Sequence, residues 1–98
     1  MPDSLKAQIS DIETLNKKID EAIQKKNALE EAYGGRNAMP EHYIKQYDDL
    51  TESIEHYNSI LTEVKSSASE NAQSLMEVVK AGADADGEYQ NLIDTFTK

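Results

Sequence analysis

The chain has 98 residues, of which 38 % are apolar, so it forms one domain at most and its core is small. It contains no cysteine, which excludes disulfide bonds, thiolate metal sites and a cysteine nucleophile. The net charge is −9, and residues 37–98 carry −8 of it, so the chain lacks the basic stripe that binds nucleic acid or an anionic membrane.

The first predicted element is an amphipathic helix over residues 5–33. Asp3 or Ser4 is expected to cap its N-terminus, and Gly34 stands where a left-handed residue ends a helix. Its apolar residues recur at helical spacing: Leu5, Ile9, Ile12, Leu15, Ile19, Ala22, Ile23 and Leu29.

A turn over residues 34–39 leads to a second and longer predicted helix, residues 40–81, with Pro40 at its first position. Its apolar seam steps by four and three without a slip through Tyr43, Tyr47, Leu50, Ile54, Tyr57, Leu61, Val64, Ala68, Asn71, Leu75 and Val78. Residues 66–69 are poor in apolar bulk, and residues 67–70 match a helix-start pattern, so a bend there is the alternative. One continuous helix is favoured because the seam resumes in phase.

The third predicted element is a short C-terminal segment, residues 86–97, which Asp86 would cap. Since the second helix is longer than the first, its end near residues 67–81 needs a cover, either this segment or a helix of a partner. The fold class is therefore all-α: a two-helix antiparallel hairpin with a short C-terminal helix, packing into a helical bundle. One face of the segment carries the side chains predicted for recognition, Tyr89, Leu92, Ile93 and Phe96.

The residues that could act in catalysis or bind a metal ion do not form a catalytic or metal-binding pattern. His42 and His56 lie on the outer face of the second helix and are about 21 Å apart along it, so they cannot share an ion. A calcium loop beginning at Asp84 would need a glutamate where Thr95 stands. We therefore expect no enzymatic activity, no cofactor and no metal.

Apolar helix stripes are typical of proteins that bind other proteins. The predicted partner interface consists of Tyr43, Tyr47, Ile54, Leu61, Leu75 and Val78. Two asparagines, Asn16 and Asn71, fall on the stripes. They either fix the register of the packed helices or lie at the wet edge of the seam, and the second interpretation is favoured.

The sequence Tyr33-Gly34-Gly35 lies between the two predicted helices. Two helices joined in this way, in a chain of about this length, resemble the WXG-type small secreted proteins of type VII secretion, the Esx family, with Tyr33 in place of tryptophan. The resemblance implies a helical bundle, a homodimer or a helical heterocomplex, and no enzymatic activity.

The chain departs from the family at its export signal, Y-x-x-x-D/E. Tyr89 is followed four residues later by Ile93, and Asp94 comes one place late. In lacking this signal, the chain is more similar to the Esx-like companions of LXG-type toxins. The resemblance implies that the partner is the N-terminal helical domain of such a toxin. The expected location is the cytoplasm before export, with secretion that needs no cleaved signal peptide.

Two other classes of function remain open. A needle-like or chaperone component of another system, such as type III secretion, also joins two helices through a turn that contains proline. An acidic inhibitor that mimics nucleic acid is favoured only by the charge of −8 in residues 37–98.

Overall fold

The computed structural model of the chain describes residues 2–98, and these residues form three α-helices and no strand. Helix α1 is Pro2–Tyr33, α2 is Glu41–Lys80 and α3 is Glu88–Thr97, with a short 3₁₀ helix, Arg36–Ala38, between α1 and α2. The predicted all-α hairpin with a short C-terminal helix is confirmed.

The helix ends differ in detail from the prediction. Helix α1 begins at Pro2, so Asp3 and Ser4 lie within its first turn, where the charge of Asp3 favours the positive helix end. Helix α2 begins one residue after Pro40, whose carbonyl oxygen accepts from the backbone N–H groups of Tyr43 and Ile44. Helix α2 is continuous through residues 66–69, so the favoured interpretation is confirmed there.

The chain packs as two compact units. The turn unit is Thr14–Leu61, which contains the end of α1, the turn and the start of α2. The terminal unit consists of residues 2–13 and 62–98, which are the start of α1, the end of α2 and all of α3.

The terminal unit is a three-helix core. Leu5, Ala68 and Leu75 are almost completely inaccessible to solvent, and Ala72 and Ile93 complete the buried cluster. The low apolar bulk near residue 68 has a packing explanation, because small side chains allow helices to approach closely. Helix α3 is the cover that the longer second helix was predicted to need.

A polar bridge joins α1 to α2 within the terminal unit. The Gln8 amide nitrogen donates to Ser67 Oγ at 2.8 Å, and Asn71 Nδ2 donates to Gln8 Oε1 at 2.8 Å. Asn71 is half-buried and Asn16 is exposed. Asn16 therefore lies at the wet edge of the seam, as favoured from the sequence. Asn71 instead makes a specific contact between the helices.

The segment before α3 is organised by Asp84, which corrects the prediction that Asp86 caps this helix. The two carboxylate oxygens of Asp84 accept from the backbone N–H groups of Tyr89 and Gln90, at 3.1 and 3.0 Å. Asp86 accepts from the N–H of Glu88 at 3.3 Å. Together they satisfy three N–H groups that have no partner within the helix.

Candidate protein-binding surface

The predicted turn motif is built by backbone conformation and ring stacking. The N–H of Gly34 donates to the carbonyl oxygen of Glu30 at 2.7 Å and closes α1. Gly34 has φ 84° and Gly35 has φ 149°, and both values lie where a β-carbon causes strain. The rings of Tyr33 and Tyr43 are 5.3 Å apart between centroids, with planes inclined by 37°. The half-buried ring of Tyr33 thus packs on the first turn of α2.

Charged side chains hold the turn against α2. Arg36 donates two hydrogen bonds to the carboxylate of Asp48, from Nε at 2.8 Å and from an Nη atom at 2.6 Å. The hydrogen bonding from Arg36 lowers the pKa of the Asp48 carboxyl group from its ordinary value. Met39, which lies in the turn and outside the apolar stripes of both long helices, is buried with 5 % of its surface exposed.

Tyr47 is held by two side chains of α1. Its hydroxyl donates a hydrogen bond to the Glu30 carboxylate, and the ammonium group of Lys26 lies 4.8 Å from the centre of its ring. The hydrogen bond to Glu30 is the main cause that raises the pKa of the Tyr47 hydroxyl. One predicted interface residue therefore has polar and cationic contacts within its own hairpin.

The residues predicted for the partner interface fall into two groups in the structure. Tyr43, Tyr47, Ile54 and Leu61 belong to the turn unit, and Leu75 and Val78 belong to the terminal unit. Leu61 and Leu75 are buried, whereas the other four are half-buried. Tyr43, Tyr47 and Ile54 of the turn unit therefore keep part of their surface exposed to solvent.

The turn unit leaves one flank of its two helices open. Ile23 is 40 % exposed, one turn along from buried Ile19. Ile23 shares a side of α1 with Lys26, whose ammonium group lies over the ring of Tyr47. Ile54 follows Tyr47 two turns along α2. By this spacing Ile23, Tyr47 and Ile54 lie on the same flank of the two helices. We call Ile23, Tyr47 and Ile54 the open flank.

The C-terminal residues predicted for recognition lie against the core of the terminal unit. Ile93 is buried in the cluster, and Tyr89, Leu92 and Phe96 pack against it while half-exposed. Lys6 of α1 forms an exposed ion pair with Glu88 at 3.0 Å. The role of these residues in recognition stays a prediction, and the structure assigns them an intramolecular contact as well.

Residues 2–98 contain no group of three or more His, Asp or Glu side chains placed to hold a metal ion, and His42 and His56 are both exposed. No helix among these residues is long and apolar enough to cross a bilayer. Comparison with protein families, characterised proteins and solved structures gave no significant match.

Proposed function

We propose that the chain is a non-enzymatic protein that binds another helical protein through the open flank, as an Esx-like secreted protein or as the targeting companion of a type VII secretion toxin. The observation that carries the proposal is the incomplete burial of the turn unit, where two helices have no third helix against them. Ile23 is 40 % exposed, and Tyr47 and Ile54 of the same unit are half-buried.

Charge favours a partner that is itself a hairpin of this kind. Residues 17–26 of α1 carry four basic and two acidic side chains, whereas residues 41–55 of α2 carry one basic and five acidic ones. When two such hairpins pair with α1 against α2, opposite charges face each other. A second copy of the chain meets this condition, and so does a helical toxin domain of similar charge pattern.

The matched variants Ile23→Glu and Gln24→Glu test the surface, since both add the same charge to neighbouring positions of α1. A pull-down from the native cell supplies the partner. Size-exclusion chromatography with light scattering then measures complex formation by each variant, first alone and then mixed with this partner. We expect Ile23→Glu to weaken association at least tenfold, because a carboxylate would lose its water at an apolar contact. Gln24→Glu should associate as the original chain does.

A strict monomer that captures no helical partner would exclude the binding role. The secretory part of the proposal needs a separate measurement, namely the fraction of the chain in the medium of native cells with and without a functional type VII machine. Open polymers of needle-like subunits would favour the type III alternative, and capture of a nucleic-acid-binding protein would favour the mimic.

A further inference from the structure

Two grooves of opposite charge lie side by side on the turn unit. The first, which we call the lysine groove, lies between the two long helices and is bordered by Lys18, Glu21 and Lys25 of α1 and by Leu50, Ser53 and Tyr57 of α2. The second, the acidic groove, lies along α2 and is bordered by Asp49, Glu52, Ser53, His56 and Tyr57. Ser53 and Tyr57 border both grooves and form the wall that they share.

The charges of the two grooves are complementary and are exposed to solvent. The lysine groove has two lysines and one glutamate, whereas the acidic groove has Asp49 and Glu52 and neither lysine nor arginine in its lining. Among residues 2–98, Lys25 and Glu52 form no ion pair, and the exposed pair between Lys45 and Asp49 contributes little. Each groove therefore carries charge that its own chain leaves available for a partner.

Lys25 lies level with the acidic residues along the length of the hairpin. It borders the same groove as Leu50 and Ser53, so this part of α1 faces residues 50–53 of α2. Asp49 and Glu52 are the residues directly before Leu50 and Ser53, and helical spacing places them at the same height on the outer side of α2. Opposite charges therefore stand at one height on the two helices.

We propose that these two grooves form a twofold interface between two copies of the chain. A rotation of 180° about an axis parallel to the helices puts α1 of one copy across from α2 of the other and keeps every residue at its height. Lys25 of each copy then lies across from Asp49 and Glu52 of the other copy, and the contact occurs twice. An axis at right angles to the helices would instead place α1 against α1, with lysines facing lysines.

The surface between these charges is suited to the close approach of helices. Ala22 and Ser53, which border the lysine groove, have small side chains, and Leu50 and Tyr57 are half-buried, so the second copy would cover apolar surface that is now in contact with water. The ammonium group of Lys18 lies 5.7 Å from the centre of the Tyr57 ring, at the edge of this surface. The interface thus has apolar residues at its centre and charges at its rim, as protein interfaces usually do.

This dimer leaves the open flank of each copy free for a different partner. Ile23 is two residues from Lys25 and five from Lys18, which corresponds to about 160° and 140° around the axis of α1. The lysine groove and the open flank are therefore on different sides of the hairpin. Ile23→Glu should keep the dimer while it weakens the capture of the partner from the native cell.

Sedimentation equilibrium of the full chain measures the dissociation constant of the dimer. We expect a dimer that weakens as salt is added, because exposed charges are screened. Lys25→Glu and Glu52→Lys should each weaken it about tenfold, since each substitution acts at two symmetric contacts. The matched controls Lys17→Glu and Glu55→Lys make the same charge changes at exposed positions that border neither groove, and they should dimerise as the original chain does.

An equimolar mixture of Lys25→Glu and Glu52→Lys tests the pairing itself. In the mixed dimer each contact again joins a lysine and a glutamate, one in the original order and one reversed, so the dissociation constant should return close to that of the original chain. Circular dichroism checks that all variants keep their helices. A chain that is monomeric at every concentration, equal weakening by the control variants, a mixture that dimerises no better than its components, or loss of the dimer in Ile23→Glu would each overturn the proposal.

Discussion

Asn71 donates a hydrogen bond from its side-chain nitrogen to the amide oxygen of Gln8, and the two residues are 63 positions apart in the chain. The nitrogen of the same Gln8 amide donates to Ser67, one turn earlier on α2. Since one side chain of α1 contacts two successive turns of α2, sliding the helices against each other would break both bonds. The polar bridge therefore specifies the register of the terminal unit.

Asn71→Ala should lower the free energy of unfolding more than Asn16→Ala does. Both changes replace asparagine with alanine within a helix and gain the same helical propensity, but only Asn71 contacts Gln8. The expected difference is about 1 kcal/mol, the usual net contribution of a hydrogen bond. Urea denaturation of the two variants measures it, and equal stabilities would show that the bridge does not stabilise the register.

The ion pair of Arg36 and Asp48 should make the turn sensitive to acid. Because the pKa of Asp48 is lowered in the folded chain, its contribution to stability is present above its ordinary pKa of 3.8 and is lost as the pH falls through the lower, folded value. Arg36→Gln should therefore melt at a lower temperature than the original chain near pH 7. The two melting temperatures should converge at low pH.

The double variant Arg36→Gln with Asp48→Asn is the control for this pH effect. It lacks both charges, so its difference from Arg36→Gln should disappear at low pH, where Asp48 is protonated. A melting-temperature difference between the original chain and Arg36→Gln that stays constant down to low pH would contradict the assigned pair.

Gly35→Ala should destabilise the chain at least as much as Gly34→Ala. From the sequence, Gly34 is expected to be left-handed because it stands at the end of the first helix. In the structure, Gly34 has a left-handed φ of 84°, a region that alanine enters at a cost of roughly 1 kcal/mol. Gly35, with φ 149° and ψ 167°, lies in a region that is essentially restricted to glycine and costs about 1–3 kcal/mol.

A β-carbon at either glycine would meet no atom within 4 Å, so steric collision does not complicate the comparison. Thermal melting of the two alanine variants ranks them. A clearly larger loss for Gly34→Ala than for Gly35→Ala would contradict this ranking.

Tyr33→Ala should lower the free energy of unfolding by about 1–3 kcal/mol, below the usual cost for a fully buried ring, because Tyr33 is half-buried. Tyr33→Phe should restore most of the loss, since the stacking on Tyr43 needs the ring and not the hydroxyl. Denaturation and partner binding are measured together. If Tyr33→Ala keeps its stability and loses the partner, the ring is a recognition element and its structural role is wrong.

Asp84→Ala should loosen α3 more than Asp86→Ala does. Asp84 accepts from two backbone N–H groups and Asp86 from one at a longer distance, and loss of a helix cap costs about 1 kcal/mol. Hydrogen exchange at the amides of Tyr89 and Gln90 is the direct measurement. Faster exchange in Asp86→Ala than in Asp84→Ala would contradict the cap assignment.

The sequence predicts the helices well because their signals are periodic and local. The seam from Tyr43 to Val78 holds its phase for ten steps, and α2 is continuous along it. Capping is local too, but Asp84 and Asp86 are chemically equal candidates. Which of the two caps α3 depends on the path of the loop in the folded chain, and residue spacing alone does not predict that path.

The candidate surface was less predictable, because it depends on how far each helix is rotated about its axis. Ile19 and Ile23 look equivalent in the sequence, yet one is buried and the other is the most exposed large apolar residue of the described chain. The burial of Met39 and the contact from Gln8 to Asn71 likewise need the packed helices.

Ala68 has no exposed surface, although it stands among Ser66, Ser67 and Ser69, which are all exposed. Because the methyl group of Ala68 is fully buried, only small side chains fit at this position. We expect relatives of the chain to vary freely at Ser66 and Ser69, to keep a side chain that accepts from Gln8 at residue 67, and to keep glycine, alanine or serine at residue 68. Substitutions of increasing size at residue 68, from glycine to valine, would measure how far the helices of the terminal unit can separate before the chain no longer folds.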